Sequence, residues 1–133
     1  VSQHVESVVL DSEGLSAWVA QDRKVLGLLQ VFHEMGADLV ISANTVVEVS
    51  HSRVNMPRLQ WILSRTKVEP VTEQTAEEAA RLLKAAGLHG HKYAIDATVA
   101  EAALRQAGPV VLLTSDIDDM GRLCGNRVGL IGL

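Results

Sequence analysis

The sequence predicts an α/β protein: a three-layer sandwich with helices on both faces of a mainly parallel, five-stranded sheet. Three observations carry that expectation. Five short strand-like runs recur along the chain, around Val8-Val9-Leu10, Leu39-Val40-Ile41, Lys67 to Val71, Val110-Val111-Leu112-Leu113 and Val128 to Ile131. Most of the segments between them place apolar residues at helical spacing. Two of the runs end directly in acids, at Asp11-Ser12-Glu13-Gly14 and Thr114-Ser115-Asp116. In open α/β sheets, ligands bind outside the carboxyl ends of the strands, where strand order reverses.

The elements follow in order. Val5 to Leu10 is the first strand, and Ser16 to Gln21 a short helix after the Asp11 turn. In Arg23 to Met35, Val25, Leu28, Leu29 and Phe32 form one buried stripe, with Gly36 placed to end the helix. After the second strand, Asn44 is placed as an N-cap, with Thr45 and Glu48 spelling a capping box. Pro57 interrupts that helix, and Leu59 to Ser64 continues as a second short one. Lys67 to Val71 reads as an edge strand, because Pro70 has no amide to donate. Thr72 to Ala86 is a helix with Thr75 and Glu78 as its capping box and Gly87 as its stop. His89-Gly90-His91 is a loop, and Tyr93 to Ala107 is a helix closed by Gly108-Pro109. A short helix through Cys124 joins the fourth strand to the fifth.

Length and composition bound the function. The 133 residues fit one domain, 1–133, and 47% hydrophobic with 21% charged content is that of a globular protein. No apolar run reaches about 18 residues, so no transmembrane helix is expected. The start, Val1-Ser2-Gln3-His4, has neither a basic region nor a long apolar one, so no signal peptide is expected. The lone Cys124 excludes an internal disulfide and fits a cytoplasmic protein, with the thiol acting as a small buried hydrophobe. A net charge of −4 argues against a general nucleic-acid coat, but not against an enzyme with a basic rim around an acidic pocket. The four aromatic residues, Trp18, Phe32, Trp61 and Tyr93, are too few for a base-stacking platform.

The acids need an explanation. Asp116, Asp118 and Asp119 crowd three carboxylates into four residues, which raises the cost of ionising them. If strands one and four are neighbours at the reversal of strand order, Asp11 and Asp116 face each other across one crevice. Glu48 starts its helix at the carboxyl end of strand two and projects toward the same crevice. Asp96 sits in a helix among Ala94, Ile95, Ala97 and Val99, a poor place for a carboxylate. Each acid also has an ordinary explanation: Asp11 and Asp116 as caps, Glu48 in its capping box, Asp96 on the surface. All four must hold together to dismiss the set. Carboxylate oxygens are hard ligands that suit Mg²⁺ or Mn²⁺, and the chain has no cysteine cluster or three-histidine set for zinc.

The ordered set resembles the acidic quartet of PIN-domain ribonucleases: Asp11 after strand one, Glu48 on an early helix, Asp96 in Ala94-Ile95-Asp96-Ala97-Thr98-Val99-Ala100, and Asp116 in Thr114-Ser115-Asp116. Within that family it is most similar to the VapC-like group, the toxin half of toxin–antitoxin modules. The likeness runs from Asp11 to Ile131 and rests on the order and intervals of the acids. It implies strand order 3-2-1-4-5 and metal-dependent hydrolysis of RNA phosphodiester bonds by activated water. By the same likeness Asp11, Glu48, Asp96 and Asp116 are catalytic, and Asp11, Asp96, Asp116 and Asp119 hold Mg²⁺ or Mn²⁺. Ser12, Thr114 and Ser115 then support the pocket, while Glu13 and Asp118 fall outside the pattern. A small cognate antitoxin and a homodimer are the implied protein partners.

Other readings remain open at this level. A haloacid-dehalogenase-type phosphatase also places an Asp after strand one, but wants a second Asp where Glu13 stands and a Lys where the nearest cation is Arg105. A catalytically silent RNA- or protein-binding module has no use for a costly carboxylate cluster. Glu48-x-x-His51 lacks the second copy a di-iron bundle needs. His89 and His91 read as a solvated loop. Arg53, Arg58, Arg65 and Lys92 are ordinary solvated cations or the lining of a phosphate path.

Overall fold

The computed structural model describes residues 4–133. Its elements are β1 (Ser7–Leu10), α1 (Ser12–Val19), α2 (Arg23–Glu34), β2 (Asp38–Ser42), α3 (Ala43–Val49), α4 (Met56–Leu63), β3 (Lys67–Glu69), α5 (Glu73–Ala86), α6 (Gly90–Leu104), β4 (Val110–Thr114), α7 (Ile117–Cys124) and β5 (Gly129–Gly132). The sheet order is β3-β2-β1-β4-β5, the order that the resemblance implies, and the sheet expected to be mainly parallel is parallel at every pair.

The pleat divides the interior into two cores. Val8, Leu10, Ile41 and Leu113 point to one face and pack with Leu15 and Trp18 of α1, Leu29 and Phe32 of α2, and Leu59 and Ile62 of α4. Val9, Val40 and Leu112 point the other way, onto Ala97, Ala100 and Ala103 of α6 and Met120 and Leu123 of α7. β1 is buried along its whole length because it is central and covered on both faces. Fully burying each of these larger side chains contributes roughly 1.5–3 kcal/mol.

Several boundaries differ from the sequence-based expectation. α1 begins at Ser12, not Ser16, because the Asp11 side chain captures the Gly14 amide at 2.9 Å and starts the helix at once. A Cβ on Gly14 would lie 3.0 Å from Leu10 Cδ2, so the missing side chain lets this turn settle onto β1. α3 is entered from Ser42, so Asn44 is not its cap; its Nδ2 donates to Thr98 Oγ1 of α6 at 3.3 Å. Thr45 is fully buried with no hydrogen-bond partner for its hydroxyl, so the expected Thr45–Glu48 capping box does not form.

Pro57 lies in the first turn of α4 rather than before it, a position where no helical amide is required. β3 stops at Glu69, just before Pro70. The capping box of α5 is Thr72 with Thr75, and Glu78 pairs instead with Arg81. Gly87 does end α5, in the left-handed conformation at φ +67° that disfavours other residues. His89-Gly90-His91 is not a loop: α6 starts at Gly90 with His89 at its N-cap, and ends at Leu104 rather than Ala107.

Cys124 is buried, and burial pushes its thiol pKa up to about 11 against a smaller opposing pull from Arg127. Among the described residues no helix is long and apolar enough to cross a membrane.

Candidate active site

The register of the sheet sets the site. Leu10 pairs with Ile41 on one side and Leu113 on the other, so Asp11, Ser42 and Thr114 leave the three central strands at one level. The Asp11 amide still donates to the Leu113 carbonyl at 3.2 Å, and the chain then turns into α1. Its side chain is held twice. Oδ1 accepts from the Gly14 amide at 2.9 Å, and Oδ2 from the Ser115 amide at 3.3 Å. Asp11 is only 6% exposed. Burial raises its pKa, while the Gly14 amide, the Thr114 hydroxyl, and the Ser115 and Glu13 amides pull it back.

Thr114 lies beneath the opposite wall. It is fully buried, and its Oγ1 accepts the Asp116 amide at 2.9 Å, which shapes the turn into α7. Asp116 occupies the N-cap position of α7, yet its side chain caps nothing and is exposed. A cap therefore does not account for Asp116, whereas Asp11 is a cap in fact as well as a wall of the crevice. Asp119, one turn on, is half-buried, and Asp118 points to solvent.

Asp96 comes from α6, across the crevice. Its pKa is pushed up to about 6, first by burial and then by the negative charges of Asp116, Glu48, Asp11 and Asp119. One carboxylate oxygen each from Asp96, Asp116 and Asp119 lie within 4.8 Å of one another. Asp11 stands outside that trio, its two oxygens engaged by amides.

These acids open on one cavity of about 440 Å³, lined by Asp11, Ser12, Glu48, Asp96, Ser115 and Asp116, with Ala94 and Ile95 as its apolar side. Three further lining residues are Glu13, His91 and Lys92. Glu13 falls outside the pattern that the resemblance implies, and His91, expected in a loop, lies in the first turn of α6. The usable signal was spacing: Lys92 is four residues before Asp96, so the two share a helix face. Arg105 lies elsewhere. It pairs with Glu69 and Glu101 and donates to the Pro70 carbonyl at 3.0 Å, so it is not the cation that a phosphatase reading would need.

The donor set suits a hard divalent cation. Three carboxylates converge, none of them is in an ion pair among the described residues, and burial followed by the neighbouring negative charges raises the pKa of Asp96.

A model of the PIN domain family matches residues 8–125 of this sequence. No curated protein matches it closely. Among solved structures, a chain in the crystal structure of VapBC2 from Rickettsia felis bound to a DNA fragment from their promoter is similar at a TM-score of 0.70. The match covers 96% of this chain and 98% of that one, at 18% identity, and is a likeness of fold.

Proposed function

The chain belongs to the PIN domain family, and on that premise we propose that it is a metal-dependent endoribonuclease, the toxin component of a toxin–antitoxin pair. The observation that supports this most is the convergence of Asp96, Asp116 and Asp119, the first two lining one open cavity with Asp11 and Glu48. Asp96, Asp116 and Asp119 hold Mg²⁺ or Mn²⁺, and Asp11 adds to the binding directly or through water. When bound, such an ion lowers the pKa of water, polarises the phosphoryl group and stabilises the leaving oxygen.

The chain's own residues do the rest. Asp11 is fixed by two amides, so its charge is presented without rotamer search. Glu48, exposed on α3, orients the attacking water for in-line displacement at phosphorus. Thr114 keeps the Asp116 turn in shape through its hydroxyl. Ser12 and Ser115 line the rim of the cavity.

The partner side of the proposal follows from charge. A cavity with this many carboxylates attracts a basic arm, which suits a small cognate antitoxin that fills it. The VapBC2 complex supports that reading by its shared fold, and a homodimer belongs to the same proposal. Cleavage of labelled RNA pools with Mg²⁺, with EDTA, and by Asp11→Asn tests the activity. The expected result is cutting that needs the metal and is lost in the variant. Cutting that survives EDTA would overturn the metal mechanism. A protein that cuts no RNA and gives no heat on titration with Mn²⁺ is a silent binding module instead.

A further inference from the structure

Among the described residues, His91 and Lys92 are the only basic ones that line the acidic cavity. Both are exposed, and neither is in an ion pair among the described residues, although five carboxylates line the cavity. The Lys92 ammonium instead sits 5.2 Å from the centroid of the Tyr93 ring. A cation left unpaired so near a cluster of acids is available to a ligand of opposite charge.

The backbone around them points the same way. His89 at the N-cap of α6 makes no side-chain cap. The amides of Lys92 and Tyr93 return to the His89 carbonyl at 3.3 and 3.0 Å, and those of Gly90 and His91 have no acceptor among the described residues. Two free donors and the positive end of a 15-residue helix therefore lie beside two basic side chains. Lys92 precedes Asp96 by four residues, roughly 6 Å along the helix axis, and helical side chains lean toward the N-terminus. That lean carries the Lys92 side chain toward the start of α6 rather than toward the level of Asp96.

We propose that His91 and Lys92 form a phosphate clamp at the start of α6. It holds a backbone phosphate of the RNA strand next to the one placed on the carboxylates. The clamp rests on the nuclease reading and adds a substrate-positioning role to it. It gives an acidic cavity a way to receive a polyanion: the metal-binding acids engage one phosphate, and the clamp takes its neighbour. Discrimination among bases lies outside its reach, because a phosphate contact carries no sequence information.

The test combines cleavage with binding. KM and kcat are measured on an RNA that the wild type cuts. Binding of the same RNA, fluorescein-labelled, is followed by anisotropy in an Asp11→Asn background with Mg²⁺ over a range of salt. Lys92→Ala combined with His91→Ala is expected to raise KM and Kd by roughly tenfold with kcat kept within about twofold, and to flatten the salt dependence by roughly 0.7 per lost phosphate contact. Lys92→Arg in an otherwise unchanged chain is expected to keep both the affinity and the slope. Lys84→Ala, on an exposed turn of α5 away from the cavity, supplies the background effect of losing any one lysine. If the double variant moves no more than that background while the wild type cuts RNA, the clamp is wrong and the nuclease stands. If the wild type neither cuts nor binds any RNA, both fall.

Discussion

Oδ2 of Asp11 accepts the amide of Ser115 at 3.3 Å, across 104 residues of sequence. The same carboxylate caps α1 through Gly14. One side chain therefore ties the carboxyl ends of β1 and β4 together, and these two strands bound the crevice on which the acids open.

That double role separates two substitutions. Asp11→Asn keeps a cap acceptor, whereas Asp11→Ala keeps none. Both are expected to lower RNA cleavage by about 100-fold or more, the scale of losing one electrostatic stabiliser of a transition state. In urea unfolding the Ala variant should be less stable than the Asn variant by about 1 kcal/mol, the usual worth of an N-cap. Equal stabilities would mean that the Gly14 contact contributes nothing.

Asp96 makes stability depend on pH in a direction that can be worked out. Its folded pKa of about 6 lies above the ordinary 3.8, so between those values the folded protein holds more protons than the unfolded one. Metal-free stability should therefore fall as pH rises through that window. Asp96→Asn should remove this loss and melt higher than the wild type at pH 7.5. The gain should be about 1 kcal/mol after discounting for solvent screening of a half-exposed group, or roughly 3 °C. Scanning calorimetry of both proteins at pH 4.5 and 7.5 checks the sign. Added Mn²⁺ should raise the melting temperature of the wild type and leave that of Asp96→Asn nearly unmoved.

Thr45 offers a test of how α3 begins. Its hydroxyl is fully buried and unpartnered, so Thr45→Val removes a polar atom that gains nothing from burial. The variant should be as stable as the wild type or more stable by up to about 1 kcal/mol. A loss of about 1 kcal/mol in denaturant unfolding would instead restore Thr45 to the capping role that its spacing from Glu48 suggested.

Arg105 stitches the edge strand to the helix that carries Asp96. It pairs with Glu69 of β3 and Glu101 of α6, each with a side chain only 9% exposed, and Lys67 reaches Glu69 at 3.3 Å. Arg105→Met leaves Glu101 uncompensated and Glu69 with Lys67 alone, and should cost about 3 kcal/mol or more. The triple variant with Glu69→Leu and Glu101→Leu should recover most of that loss. A single variant as stable as the wild type would show that the cluster holds nothing together.

The sequence by itself determined the layers of this protein and the order of its elements. Runs such as Val8-Val9-Leu10 and Val110-Val111-Leu112-Leu113 can be satisfied only by strands covered on both faces. The stripe Val25, Leu28, Leu29 and Phe32 can be buried only by a helix. Hydrophobic periodicity is local, so it survives in one dimension, and so does the placement of Asp11 and Asp116 directly after strands. The tertiary structure alone decided which polar groups meet. Asn44 left its expected cap for Thr98, 54 residues away, and α6 opened at Gly90, which set His91 and Lys92 on the cavity wall. Asp96 joined Asp116 and Asp119 while Asp11 was taken by two amides. A hydrogen bond or ion pair is settled by whichever partner the packed layers bring within about 3 Å, and that distance is unrelated to separation along the chain.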